Sequence, residues 1–301
     1  APVPEGADAI IMHERTSFTE NTVTLTAPVT SANIIPPGED VAAETLLVPK
    51  GKILTASDLA LIAGQGIAEI GVYKKLSIGL ISTGSELLNT GSPLEYGKIY
   101  NTNPYLLGGY IQKHHMTANY LNTVSDDLDS LCRAVLDALK TNDVVITTGG
   151  VSAGDFDYMP EVIRRIGGDL LFHRLKFKPG GAMLGAFKDG KVILGLSGNP
   201  GAAATGLLCV GFPFMRKLSG RSDITFSQTT AYLGVDFKKS SPVTRILKGH
   251  SDFKNGMLYF TPLSNQHNGS VSSMSDCDLL AIIPAGSKPL AAGDKLEVYI
   301  L

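Results

Sequence analysis

The stretch Thr147-Thr148-Gly149-Gly150-Val151-Ser152-Ala153-Gly154-Asp155-Phe156-Asp157 combines what phosphate chemistry needs, uncovered backbone amides and carboxylates. Its three glycines leave N–H groups exposed, and such groups at the carboxyl end of a strand bind phosphorylated ligands. Asp155 and Asp157 either hold a divalent metal or repel phosphate unless a cation sits between. A plainer reading is a Gly-rich strand-to-helix turn in which Asp155 or Asp157 caps the helix. The flanks place the stretch. Asp143-Val144-Val145-Ile146-Thr147 is short and β-branched, as buried parallel strands are. Met159, Val162, Ile163 and Ile166 then recur at helical spacing.

From Lys75 to about Gly220 strands and helices alternate, the signature of a parallel sheet with helices on its faces. Leu76 to Ser82 reads as a strand ending in Thr83-Gly84-Ser85-Glu86, and Pro104 to His115 as a helix. Ala118 to Val124 reads as a strand, and Ser125-Asp126-Asp127 caps a helix reaching about Lys140. Asp169 to Phe177 is a further strand leading to Lys178-Pro179-Gly180-Gly181. Asp189-Gly190 marks a hairpin before the strand Val192 to Leu196. Ser197-Gly198-Asn199-Pro200-Gly201 turns into a helix from Ala202 to about Leu218. The loops after these strands would gather along one edge of a parallel sheet. There they would offer Glu86, Asp126, Asp127, Asp155 and Asp157 to a metal, and Lys178, Arg174 and free amides to an anion. That inventory suits metal-assisted attack at a phosphoanhydride. Equally, Ser125 or Asp126 could serve only as a helix cap, and Arg174 and Lys178 could be solvated strand-end charges.

The flanking segments differ. Residues 1 to about 50 mix proline turns with short strand candidates, Ala9 to Met12 and Thr22 to Thr26. Pro36-Pro37-Gly38-Glu39-Asp40 is an exposed turn in which Asp40 reads first as a solvated acid. Thr55-Ala56-Ser57-Asp58 has capping-box spacing ahead of a helix to about Gln65. From Ile224 onward short segments, Ala231 to Phe237, Met257 to Thr261, Leu279 to Ile283 and Lys295 to Leu301, describe a small all-β domain. The expected division is a β-rich segment over 1–72, an α/β domain over 73–222 and the β domain over 223–301.

A net charge of -2 with 18% charged residues gives no basic footprint for nucleic acid. No apolar run reaches the length of a membrane span. Cys132, Cys209 and Cys277 are scattered in apolar surroundings, which fits a reducing cytoplasm rather than a disulfide framework. Cys209 reads as core packing, and His114-His115 as surface histidines, because adjacent helix residues do not face one ligand. Neither a Walker loop nor Gly-x-Gly-x-x-Gly ends a strand, so an ordinary nucleotide triphosphatase and a Rossmann dehydrogenase are disfavoured.

Thr147 to Tyr158, with Lys178-Pro179-Gly180, Gly198-Asn199-Pro200 and Ser82-Thr83-Gly84-Ser85-Glu86-Leu87, resembles the MoeA/gephyrin E-domain family of molybdopterin molybdenumtransferases. The likeness runs from Pro2-Val3-Pro4-Glu5-Gly6-Ala7-Asp8 to the closing β domain. It implies a molybdopterin-binding α/β fold of three layers with a parallel-rich sheet. It also implies cleavage of adenylylated molybdopterin, release of AMP and Mg2+-assisted insertion of molybdate, in a homodimer whose sites draw on both subunits. Other proteins of molybdenum cofactor biosynthesis are its implied partners. Asp40, Glu86, Asp126, Asp157, Arg174 and Lys178 match the family's catalytic positions, with Glu86, Asp126 and Asp157 as metal ligands. The binding set carried over is Thr83, Gly84, Ser85, Gly149, Gly150, Ser152, Gly154, Asp155, Pro179, Gly180, Ser197, Gly198, Asn199, Pro200 and Ser270. Asn268-Gly269-Ser270 matches a turn that closes over the molybdate end, and Arg245 or Lys248 stands for an arginine there.

This chain departs from the pattern at Ser85, where the family has Asp, at Gly181, where it has Lys, and at Arg174, where it has Lys. The chain opens at Ala1 without Met, and part of the family's N-terminal region is expected to be missing. These departures leave open a molybdopterin-binding or carrier protein with impaired catalysis. A more distant alternative is a CinA-like nucleotide hydrolase of the same fold, disfavoured by the C-terminal β domain and Lys178-Pro179-Gly180.

Overall fold

The computed structural model of the chain describes residues 2–31, 34–151 and 157–301. It divides into two compact units, Ala1–Pro49 with Leu54–Ala68, and Lys50–Ile53 with Glu69–Leu301.

In the first unit a two-stranded ribbon pairs β1 (Thr16–Phe18) antiparallel to β2 (Val23–Leu25). The strand expected over Ala9 to Met12 reduces to one bridge, Ile10 to Thr30, because the rest of that run finds no partner among the described residues. Helix α1 (Ala56–Gly64) starts on the predicted capping box. Thr55 Oγ1 accepts from the Asp58 amide at 3.2 Å, and Asp58 accepts from the Thr55 amide at 2.9 Å.

The second unit opens with β3 (Ser77–Ser82), the small parallel pair β4 (Leu87–Leu88) and β5 (Ile99–Tyr100), and α2 (Asn103–Lys113). There follow β6 (Thr117–Tyr120), α3 (Leu128–Thr141), β7 (Val144–Thr148), α4 (Met159–Arg165) and β8 (Asp169–His173). The strand expected from Asp169 to Phe177 breaks after His173. Arg174 takes a φ of 65°, which turns the chain, and β9 (Phe177–Lys178) joins a different sheet. Then come β10 (Leu184–Lys188) and β11 (Lys191–Leu196), joined by the Asp189-Gly190 turn.

The first sheet runs β6-β3-β7-β11-β10-β8. β6, β3, β7 and β11 are parallel. β10 is antiparallel to both β11 and β8, so β8 runs the same way as β11 and ends on the same rim. β7 is buried at every residue, as a central strand covered on both faces must be. Leu107 and Ile111 of α2 pack on one face with Leu207 and Phe212. Leu131 and Val135 of α3 pack on the other with Val162 and Ile163 of α4. Each such fully buried side chain contributes roughly 1.5–3 kcal/mol.

The helix expected from Ala202 to Leu218 starts earlier and is not uniform. α5 (Pro200–Gly206) passes through a π turn at Leu207–Gly211 into α6 (Phe212–Leu218). Pro213 has no N–H to continue an α ladder, and the wider turn just before it takes up the mismatch.

β12 (Gln228–Leu233), β13 (Thr244–Lys254), β14 (Met257–Pro262), the short α7 (Ser272–Ser275), β15 (Leu279–Ile283) and β16 (Lys295–Ile300) complete the chain. The order β14-β12-β16-β15-β13, closed by β13 on β14, makes a small barrel, and β9 adds to β13. β13 escapes a periodicity reading because Lys248, Gly249, His250 and Ser251 interrupt its apolar alternation.

Candidate functional site

The carboxyl ends of β3, β7 and β11 meet. The Thr83 amide donates to Thr148 O at 2.9 Å, and the Gly149 amide to Leu196 O at 3.0 Å. Gly149 has a φ of 99°, and a Cβ there would collide with Thr83 Oγ1, so only glycine lets these two loops touch. Gly198 approaches the same point, with its Cβ position 3.6 Å from Gly149 Cα. Asn103, at the start of α2, ties this loop down by donating to Gly198 O at 2.8 Å. Gly150 has a φ of 66°, and its carbonyl accepts from the Met159 amide at 3.2 Å. Ser152, Gly154 and Asp155 lie outside the described residues.

Two acids stand at the loop after β3: Glu86 lies within it, and Asp126, on the loop after β6, bonds to it. At Gly84, whose φ is 148°, a Cβ would fall 2.6 Å from Glu86 Oε2, so the Glu86 carboxylate folds back over bare Cα. Asp126 Oδ2 accepts from the Ser85 amide at 3.3 Å, and Lys98 Nζ donates to Ser85 O at 2.5 Å. The helix cap is Asp127. Its Oδ1 accepts from the Ser130 amide at 2.8 Å, and Ser125 donates to its Oδ2. Those bonds, the Ser125 hydroxyl first, hold Asp127 down at about 2. Capping by Asp127 leaves Asp126 available to the site.

Asp157 sits at the β8 end of the rim with its side chain only 14% exposed. Its Oδ2 lies 3.5 Å from His173 Nε2 and 3.6 Å from Arg174 Nη2, while its Oδ1 is buried with no partner among the described residues. His173 was not legible as a site residue. Its only signal was its place at a strand end before Arg174. The structure does not gather Glu86, Asp126 and Asp157 into one metal cage. Among the described residues no three His, Cys, Asp or Glu side chains form one. Glu86 and Asp126 lie on the loops after β3 and β6, which the Ser85–Asp126 bond joins, and Asp157 stands beside the end of β8.

Lys178 is exposed on β9 and stands in register beside Arg245 of β13. Pro179 follows, half-buried, and Gly180, at a φ of 96°, presses on α5, where a Cβ would sit 2.8 Å from Gly206 N. A Cβ on Gly181 would strike the carbonyls of Leu175 and Phe177, which accounts for glycine at that departure from the family pattern. Ser197 Oγ accepts from the Asn199 amide at 3.2 Å, and Pro200 opens α5. The turn Asn268 to Ser270 closes on this start. Asn268 O accepts from the Ala202 amide at 3.2 Å, and a Cβ on Gly201 would lie 2.9 Å from Asn268 O and 3.3 Å from Ser270 O. Behind the turn Lys248 is fully buried and donates to His267 O at 3.2 Å and to Ser273 Oγ; burial lowers its pKa. Arg245 therefore belongs with Lys178, and Lys248 with the closing turn.

Asp40 lies exposed in the first unit, on the predicted turn. Cys209 packs against the core as expected, and burial pushes its thiol up to about 12. His114 departs from its reading as a surface residue. It is half-buried between Phe212 and Phe226, at 4.3 and 5.2 Å between ring centroids, because its helix face turns toward α6.

Glycine amides, carboxylates and cations stand on the rim of a mostly parallel sheet with helices on both faces, the place where open α/β folds bind phosphorylated ligands. Residues 79–217 match a family described as a probable molybdopterin binding domain. Residues 1–66 match the MoeA N-terminal region, domains I and II, and 230–301 the MoeA C-terminal region, domain IV. The chain is 34% identical over 301 residues to a molybdopterin molybdenumtransferase of Staphylococcus aureus MRSA252, spanning all of this chain and 72% of that protein. To the Bacillus subtilis strain 168 protein of the same name it is 35% identical over 306 residues, spanning 71% of it. It superposes on the crystal structure of a molybdopterin biosynthesis MoeA protein from Pyrococcus horikosii with a TM-score of 0.84 at 26% identity, covering 99% of this chain and 73% of that one. The chain belongs to the MoeA family of molybdopterin molybdenumtransferases, enzymes of molybdenum cofactor biosynthesis.

Proposed function

We propose that the protein cleaves adenylylated molybdopterin, releases AMP and inserts molybdate at the dithiolene with the help of Mg2+. The observation that carries this reading is the contact of Thr83, Gly149 and Gly198 at one rim, with the Glu86 and Asp126 carboxylates on the two bonded loops beside it. Two carboxylates suit Mg2+, which is held by one or two carboxylates together with substrate phosphate oxygens. Glu86 and Asp126 would hold the cation, which when bound neutralises charge on the phosphoanhydride. The rim amides orient the pyrophosphate. Asp157, with one oxygen unbonded among the described residues, positions a water and takes its proton as the P–O bond breaks toward AMP. Lys178, Arg245 and Arg174 draw the oxyanion, and the Asn268 to Ser270 turn closes that end. Asp40 serves this site across a homodimer in the cytoplasm, where three free cysteines are at home.

The test is AMP release from adenylylated molybdopterin with molybdate and Mg2+. The expected result is turnover by the wild type and a loss on the order of 100-fold in Asp157→Asn. Tight pterin binding without turnover would replace the enzyme reading with a carrier.

A further inference from the structure

The β4–β5 pair, the start of α2 and the chain leaving β6 enclose a cleft of about 290 Å³ that the chemistry above does not use. Its lining includes Asn89, Thr90, Asn101, Tyr105, Tyr120 and Thr123. Asn89 lies three residues after Glu86, and Thr123 three before Asp126, so the cleft opens beside the carboxylate pair. Three residues of chain reach at most about 11 Å, the scale separating a nucleotide's phosphate from its base.

The lining is specific in its chemistry. Asn101 is 5% exposed, its Nδ2 donates to Thr123 Oγ1 at 3.4 Å, and its amide N–H is taken by Leu88 O. Its Oδ1 is buried with no partner among the described residues. A buried carbonyl oxygen in that state calls for an N–H donor from a ligand. Thr90 Oγ1 and Tyr105 Oη, 2.7 Å apart, can each donate and accept at one mouth of the cleft. Tyr105 and Tyr120, 58% and 49% exposed with ring centroids 6.1 Å apart, offer flat apolar faces to a planar group. The volume is at the low end for ligand pockets, roughly 300–1,000 Å³, and fits one bicyclic ring system rather than a whole dinucleotide-sized substrate.

We propose that this cleft seats a bicyclic heteroaromatic base bearing an exocyclic amine, which donates to Asn101 Oδ1 while the ring lies against Tyr105 and Tyr120. The proposal deepens the reading given above and rests on it for the phosphate beside the cleft. Adenine and a pterin share this chemistry, and both halves of the proposed substrate carry it.

The full chain would be titrated by calorimetry and by tyrosine fluorescence, which no tryptophan masks. The probes are adenosine, purine riboside (the same ring without its amine) and 6-hydroxymethylpterin. Either adenosine or the pterin is expected to bind and quench, and the tighter of the two identifies the source. Purine riboside should bind on the order of tenfold more weakly than adenosine if adenine is the occupant. Asn101→Leu should remove the tighter ligand's advantage, and Tyr105→Leu, at a largely exposed position, should weaken it severalfold. Unchanged affinity in both variants, with melting temperature preserved, would overturn the proposal, as would wild-type binding of neither base. AMP release from the full substrate with neither variant altering KM would sink the cleft but keep the proposed reaction. Base binding that needs Asn101 without any AMP release would do the reverse.

Discussion

Lys178 and Arg245 face each other in register on two parallel strands, β9 and β13, the first from within the α/β sequence and the second from the barrel. Adjacent strands lie about 4.8 Å apart, and like charges side by side repel. Among the described residues neither has a carboxylate partner, and Arg245 leans over Phe237 at 5.9 Å with its Nε unbonded. Such a pair is tolerated at little cost in water and becomes favourable when an anion bridges it. Molybdate or phosphate should therefore raise the melting temperature of the wild type relative to chloride at equal ionic strength. Lys178→Ala and Arg245→Ala should each lose most of that rise, while Lys178→Ala without anion stays within about 0.5 kcal/mol of wild type.

Arg174 holds a left-handed backbone conformation, which costs a non-glycine residue roughly 1–2 kcal/mol. It does so at a turn where its guanidinium reaches Asp157. Arg174→Gly should raise the urea midpoint, by about 1 kcal/mol in stability, yet lower AMP release more than Arg174→Lys does. Opposite movement of stability and activity in the glycine variant is the signature sought.

Lys248 fixes the closing turn from beneath. Lys248→Ala would take one bond each from Ser273 Oγ and His267 O and open a new cavity beneath the turn, a loss of about 3 kcal/mol. Lys248→Met keeps the stem and should cost less. Urea midpoints rank the two, and limited proteolysis should cut the 265–273 segment faster in the alanine variant.

His114 gives the fold a pH dependence of known sign. Burial first, then the charge of Arg216, lowers its pKa to about 4. Arg216 Nη2 lies 3.3 Å from its Nδ1, so the neutral ring accepts there. The unfolded chain takes up the proton near 6.5 and the folded chain only near 4, so stability falls as pH drops between those values and levels off below. Because the ring is only half-buried, the drop should be about 1 kcal/mol after screening. Urea midpoints at pH 7 and pH 4.5 measure it, and His114→Gln should remove this component.

The parallel core was legible because β7 and β11 carry short, largely β-branched apolar runs, Val144 to Ile146 and Val192 to Leu194, and α3 repeats at helical spacing, patterns that burial on two faces or one imposes directly. The rim glycines were legible for a related reason: close approach of backbones excludes a Cβ, and the residue type records it at Gly149. What local pattern could not supply was which acid does what. Asp126 and Asp127 are adjacent and chemically equal, and only the bond from Ser130 separates cap from site acid. Nor could it supply His173, which meets Asp157 through tertiary structure alone. β13 stayed hidden because its partners change along its length, so no single face is uniformly apolar.

Phe177 and Lys178 lie in the middle of the α/β sequence yet lengthen the barrel's sheet. A fragment cut at the apparent boundary before residue 223 would carry β13 with its first residues stripped of their neighbour. Open backbone edges of that kind recruit strands from other molecules. Dissecting this protein by truncation would thus create a sticky seam that the intact chain never presents.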